Sequence, residues 1–119
     1  MATVSQVLTG LVAALHVYFL VLEMFLWTGP TGQRVFGRTA AEQEASKVLA
    51  ANQGLYNGFL AAGLVWSLVA GPPVALAVRV FFLACVGVAG IYGGLTATRR
   101  ILFVQALPAA VALALTLAM

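Results

Sequence analysis

Four apolar stretches, separated by short polar or Pro/Gly-marked breaks, dominate the chain: about 4–27, 47–69, 74–95 and 101–118. Each is close to the ~20 residues that a helix needs to cross the hydrocarbon core of a bilayer. Thr28-Gly29-Pro30 closes the first stretch, and Gly71-Pro72-Pro73 separates the second from the third, because Pro and Gly end helices. The break at Thr96–Arg100 has charge but no Pro or Gly, so the boundary between the third and fourth stretches stays open. Thr31 to Ser46 reads as the one real loop. Within it, Thr39 followed three residues later by Glu42 has the form of a capping box, which predicts a helix start near Ala40 that projects from the membrane. Pro108 should kink the fourth helix near Val104, where it removes a backbone bond. Helices joined by short connections neighbour one another in sequence order. The expected architecture is therefore all-α: one domain over residues 1–119, a four-helix up-down bundle.

Composition sharpens this to an integral membrane protein. The 119 residues are 63% hydrophobic and 8% charged, with a mean hydropathy of +1.06; soluble domains run near ~45–50% apolar and ~25% charged. No Lys or Arg precedes the first run, which is long and carries Glu23, so it reads as a retained helix rather than a signal peptide. The net charge of +3 does not point to nucleic acid, because the basic residues lie at the ends of apolar stretches. Arg34, Arg38 and Lys47 flank the first connection and Arg99 and Arg100 the third, against Arg79 alone on the other side. The positive-inside rule puts both basic connections in the cytoplasm and both termini outside. Arg79, about a turn and a half inside its helix, is expected to snorkel to the outer surface, and Trp27 and Trp66 to lie near the interfaces. Cys85, the single cysteine, allows no intrachain disulfide and no cysteine-based metal site.

With that topology the polar residues can be compared by depth. His16 and Glu23 are seven residues apart, about two helical turns, and so share a face roughly 10 Å apart along the axis. Ionisable groups inside a membrane segment cost about 2.5–3.5 kcal/mol each even on the lenient insertion scale, so a stripe carrying two of them points to a polar interior. Asn52, Gln53 and Asn57 return to the same depths on the second helix, and Tyr92, Thr96 and Arg99 share a face at the end of the third. The outer half is expected to hold almost no polar group except Arg79. The pattern predicts a pocket open to the cytoplasm. Glu23 and His16 are the candidate catalytic groups, with Glu23 as general acid, base or counter-ion. Asn52, Gln53, Tyr56, Asn57, Tyr92, Arg99 and Arg100 are the candidate binding groups, the arginines for an anionic part of the ligand. The bland alternative is a hydrogen-bonded cluster that sets helix register. One His with one Glu is a thin ligand set, so no metal is assigned and the cofactor is left unknown. Gly54/Gly58 and Gly90/Gly94 form GxxxG pairs, which serve either packing within the chain or a subunit interface.

Three stretches carry a resemblance: His16-Val17-Tyr18-Phe19, Leu22-Glu23-Met24-Phe25-Leu26-Trp27, and Leu49-Ala50-Ala51-Asn52-Gln53-Gly54-Leu55-Tyr56-Asn57-Gly58-Phe59-Leu60-Ala61-Ala62-Gly63. They resemble domain-of-unknown-function family 1304, small bacterial membrane proteins, over nearly the whole chain. The resemblance implies four spans and a membrane location, and no catalytic assignment; the bacterial inner membrane is the location expected. The Asn-bearing second helix is also similar in outline to that of the membrane-associated eicosanoid and glutathione metabolism proteins. Leu49-Ala50-Ala51 stands where that family carries a Glu-Arg pair. Styrene oxide isomerase, a four-helix membrane enzyme that uses haem, is a further likeness of architecture.

The function expected from these readings is binding or transformation of a small lipophilic molecule near the cytoplasmic face. Membrane lipid and that ligand are the expected partners, together with a second copy of the chain. The alternatives are a proton-coupled exporter, as in small multidrug transporters, and a structural or accessory subunit. The ~16-residue first loop and the one-sided charge count against the exporter.

Overall fold

The computed structural model describes residues 2–119, which are helical between short connections with no strand among the described residues. The elements are α1 (Ala2–Met24), α2 (Pro30–Phe36), α3 (Ala40–Val69), α4 (Val74–Thr96), a π-helical turn (Leu102–Ala106) and α5 (Leu107–Leu117). Two of these, α1 and α4, are long and apolar enough to cross a membrane. The chain forms two compact units, one of residues 1–14 and 60–119 and the other of residues 15–59.

The 15–59 unit contains the end of α1, all of α2 and the first part of α3. Pro30, read from the sequence as a helix stop, instead starts α2 within the expected loop. Its fixed φ suits the first helical position, and the N–H it lacks would have had no partner there. Gly32 sits hard against the end of α1: a Cβ there would lie 2.2 Å from the Trp27 carbonyl oxygen and 2.4 Å from that of Leu26. The carbonyls of the turn that follows α1 need donors of their own. Here the N–H groups of Gly29 and Gly32 donate to Leu26 O, and the buried Gln43 Nε2 donates to Trp27 O at 2.9 Å. Gly37 then ends α2 in the left-handed conformation (φ 62°), which Gly adopts without strain. The predicted capping box is present. The Glu42 N–H donates to Thr39 Oγ1 at 3.2 Å, the Thr39 N–H donates to Glu42 Oε1 at 3.0 Å, and α3 starts at Ala40.

The other unit has an apolar centre of Val12, Ala13, Leu64, Leu83, Val86, Ala109 and Ala112. The buried residues of α4 fall at 79, 83, 86, 90 and 94, one stripe of a 3.6-residue helix. At Gly90 a Cβ would come within 2.6–2.8 Å of Ala106 backbone and side-chain atoms, and at Gly94 within 2.3 Å of the Leu102 side chain. Both glycines let α4 pack closely on the segment after it. That segment is not a plain α-helix. Pro108 has no N–H to offer Val104, and the strain is taken up by a π turn over Leu102–Ala106 with the Leu107 N–H bonded to Leu102 O. The Pro72–Pro73 bond before α4 is cis.

Two expectations fail in this unit. Arg79 does not snorkel: it is 5% exposed and turned inward. Nor is Arg79 the only polar group here, because Ser5, Thr9, Ser67 and Thr116 are all buried. A long side chain reaches the surface only if its azimuth allows it, and Arg79 stands on the buried stripe of α4.

Candidate functional site

The buried positions of α1 include Ser5, Thr9, Val12, His16 and Glu23. They recur at helical intervals of about one or two turns, so Ser5, Thr9, His16 and Glu23 lie on a single stripe, while Thr3, Gln6 and Tyr18 are exposed. His16 is fully buried, with its ring edge-on to Phe19 at 5.4 Å. Glu23, two turns on, is 7% exposed and accepts a hydrogen bond from Asn57 Nδ2 at 2.5 Å. Small residues on α3 make this meeting feasible. A Cβ at Gly54 would lie 2.7 Å from Met24 Cγ, 3.1 Å from Glu23 Cβ and 3.3 Å from the Leu20 carbonyl oxygen, and one at Gly58 would meet Leu20 Cδ1 at 2.7 Å. Both GxxxG pairs are thus occupied by contacts within the chain.

Glu23 also borders an open cleft of about 360 Å³ lined by Met24, Phe25, Trp27, Thr28, Lys47, Val48 and Ala51. Its walls are largely apolar, and Glu23 and Lys47 are the charged residues among them. Lys47 forms an ion pair with Glu44 one turn earlier on α3. Trp27, expected near an interface with no particular role, is buried: its ring lies 4.7 Å from that of Phe36, and its Nε1 donates to Ser46 Oγ at 3.1 Å. Sequence reasoning passed over Gln43 and Ser46 because both sit in what read as a polar loop. Gln43 Oε1 is buried without a hydrogen-bond partner.

The structure brings Glu23 and Asn57 together and leaves other expected binding residues outside. Asn52, Gln53 and Tyr56 are exposed on α3, and Tyr92, Arg99 and Arg100 are exposed in the other unit. The expected Tyr92–Thr96–Arg99 face does not form, because α4 ends at Thr96 and Arg99 lies in the following turn. Thr96 Oγ1 instead donates to the Tyr92 carbonyl oxygen at 2.7 Å. Among the described residues no group of three His, Cys, Asp or Glu side chains is placed to hold a metal ion.

Glu42, on the first turn of α3 outside the apolar stretches, has its carboxyl held below the ordinary value of 4.5. The chief cause is the Thr39 backbone N–H, followed by the Thr39 side chain.

A family model described as "Protein of unknown function (DUF1304)" matches residues 10–117. The chain is also similar to "Uncharacterized protein YpaA" of Lactococcus lactis subsp. lactis (strain IL1403), 32% identical over 107 residues that cover 88% of this chain and 89% of that protein. No solved structure matches.

Proposed function

The chain belongs to the DUF1304 family, whose description carries no chemistry, and we propose from its own side chains that it is an integral membrane protein that binds a small lipophilic molecule beside Glu23. The observation that carries the membrane reading is an inverted distribution of polarity. Val7, Leu11, Phe25, Val48, Leu49, Val69, Phe81, Val88 and Leu95 are exposed, whereas Ser5, Thr9, His16, Glu23, Gln43, Ser67, Arg79 and Thr116 are buried. Water favours the reverse arrangement, and lipid favours this one. Contacts in the 1–14/60–119 unit support an up-down arrangement of four spans. Ser5 near the start of α1 bonds Thr116 near the end of α5, and Arg79 near the start of α4 bonds Ser67 near the end of α3. The one-sided basic residues support termini on the outer side of a bacterial inner membrane and the Glu23 cleft toward the cytoplasm.

In this reading the ligand's hydrocarbon part lies against Met24, Phe25, Val48 and Ala51, and its polar end meets Glu23. Asn57 occupies Oε1 of that carboxylate, which leaves Oε2 to accept from the ligand. A lipophilic amine suits it best, since a charge-assisted bond is about twice as strong as a neutral one. Trp27 lines the cleft and reports on it.

The test uses a Trp66→Phe variant, in which Trp27 is the sole tryptophan, in phosphatidylcholine nanodiscs. Dodecylamine should shift Trp27 emission saturably and dodecanoate should not. Glu23→Gln should weaken the amine response by about tenfold, the loss of roughly 1.4 kcal/mol expected for a charge-assisted bond. A response that never saturates, or that is the same in Glu23→Gln, removes the proposal.

A further inference from the structure

The chain has three acidic side chains, Glu23, Glu42 and Glu44, and none lies in residues 1–14 or 60–119. That unit nevertheless buries the guanidinium of Arg79. A buried charge without a partner is among the costlier arrangements in a protein, and costlier still in lipid. Among the described residues Lys47–Glu44 is the only ion pair, so Arg79 has polar neighbours but no counter-charge.

The protons of those neighbours can be assigned. Thr116 Oγ1 donates to the Ala112 carbonyl oxygen at 2.7 Å, so in the Ser5–Thr116 contact of 2.6 Å the proton is that of Ser5. Ser67 Oγ donates to Leu64 O at 2.6 Å. The hydroxyl hydrogens are spent. Arg79 Nη1 donates to Ser5 Oγ at 3.5 Å and Nη2 to the Ser67 carbonyl oxygen at 3.2 Å, while Nε is buried with no partner. A guanidinium carries five N–H donors, so three remain without an acceptor. The place therefore has an excess of donors and of positive charge.

We infer that Arg79, framed by Ser5, Ser67 and Thr116, is the receptor for an external oxyanion, a phosphate or carboxylate group. Its two oxygens would take the unspent N–H donors side by side, the fork-on-fork geometry for which arginine is suited and lysine is not. Arg79 is the sixth residue of α4, about 7–8 Å along the axis from the helix start. This site shares no residue with the Glu23 cleft and does not depend on it.

The experiment follows the melting temperature of the whole protein in a neutral detergent. One arm adds sodium phosphate, a second adds dodecyl phosphate, and sodium chloride at matched ionic strength is the control. A saturable rise with sodium phosphate identifies a free anion as the ligand. A rise with dodecyl phosphate alone identifies a lipid headgroup. Either supports the site, provided that Arg79→Lys weakens the response about tenfold and Arg79→Gln abolishes it. Should Arg79→Gln not fold, the Nε–H resonance of Arg79 in nitrogen-15-labelled wild-type protein gives the same answer, since it must move with added phosphate. No oxyanion-specific rise in either arm, or a resonance that stays still, overturns the inference.

Discussion

Two glycines of one GxxxG pair face different obstacles, and that difference is measurable. A Cβ on Gly54 meets Met24 Cγ first and behind it the Glu23 Cβ and the Leu20 carbonyl oxygen, neither of which can move alone, whereas one on Gly58 meets only the end of the Leu20 side chain. Gly54→Ala should therefore destabilise the protein by about 1–3 kcal/mol, the usual cost of overpacking. Gly58→Ala should cost less, because Leu20 can change rotamer. Gly87, where an added Cβ meets nothing within 4 Å, is the control: Gly87→Ala should gain about 0.5–1 kcal/mol from helix propensity. Thermal unfolding of the three variants in one detergent gives the order, and equal losses at Gly54 and Gly58 would contradict the contact geometry. The same residue-by-residue view shows what could be read in advance. The His16–Glu23 stripe, continued backward by one-turn and two-turn steps, lands on Thr9 and Ser5. The Gly90–Gly94 stripe of α4, continued backward, lands on Arg79. Both continuations are present in the sequence; depth alone puts Arg79 near the surface, and depth says nothing about azimuth.

At the scale of elements, the start of α3 depends on the reciprocal hydrogen bonds between Thr39 and Glu42, of which only Glu42 titrates. Depression of the Glu42 carboxyl by Thr39 means that the carboxylate form is the one the fold prefers. The stabilisation is fully present above the ordinary value of 4.5 and is lost as pH falls through the lower, folded value. Thr39→Ala removes both the cap on the Glu42 N–H and one cause of the depression. It should cost about 0.5–2 kcal/mol of helix stability and return the Glu42 titration, followed by carbon-13 NMR, toward 4.5. The shift is partial, because the alanine keeps the backbone N–H that is the chief cause, and an unchanged titration would mean that the Thr39 side chain takes no part in the depression. This boundary was legible because a capping box is local chemistry. The helix over Pro30–Phe36 was not, because Pro30 reads equally as a stop or as a first residue, and the choice is made by the packing of Gly32 on Trp27 and Leu26. The π turn before Pro108 was legible in place but not in kind: the missing N–H marks where the ladder fails, and the packing of Ala106 on Gly90 decides how it is repaired.

For the whole molecule, the proposal of four spans makes a prediction that charge and fold must satisfy together. The turn around Gly71 has no basic side chain, and the segments around Ala41 and Ala97 lie beside Arg38 and Arg99. All three positions are exposed, and Gly71 has open space around it, so a cysteine at each should leave the structure intact. In a Cys85→Ala background, Gly71→Cys should react in intact cells with a maleimide that cannot cross the membrane. Ala41→Cys and Ala97→Cys should react only after permeabilisation. The proposed arrangement is asymmetric, because five basic residues flank one pair of connections and Arg79, the one basic residue on the other side, is buried. Labelling of all three positions from outside would remove the membrane topology. Half-labelling of each would point to two opposed orientations, which is the behaviour that the exporter alternative needs and that a one-sided charge distribution opposes.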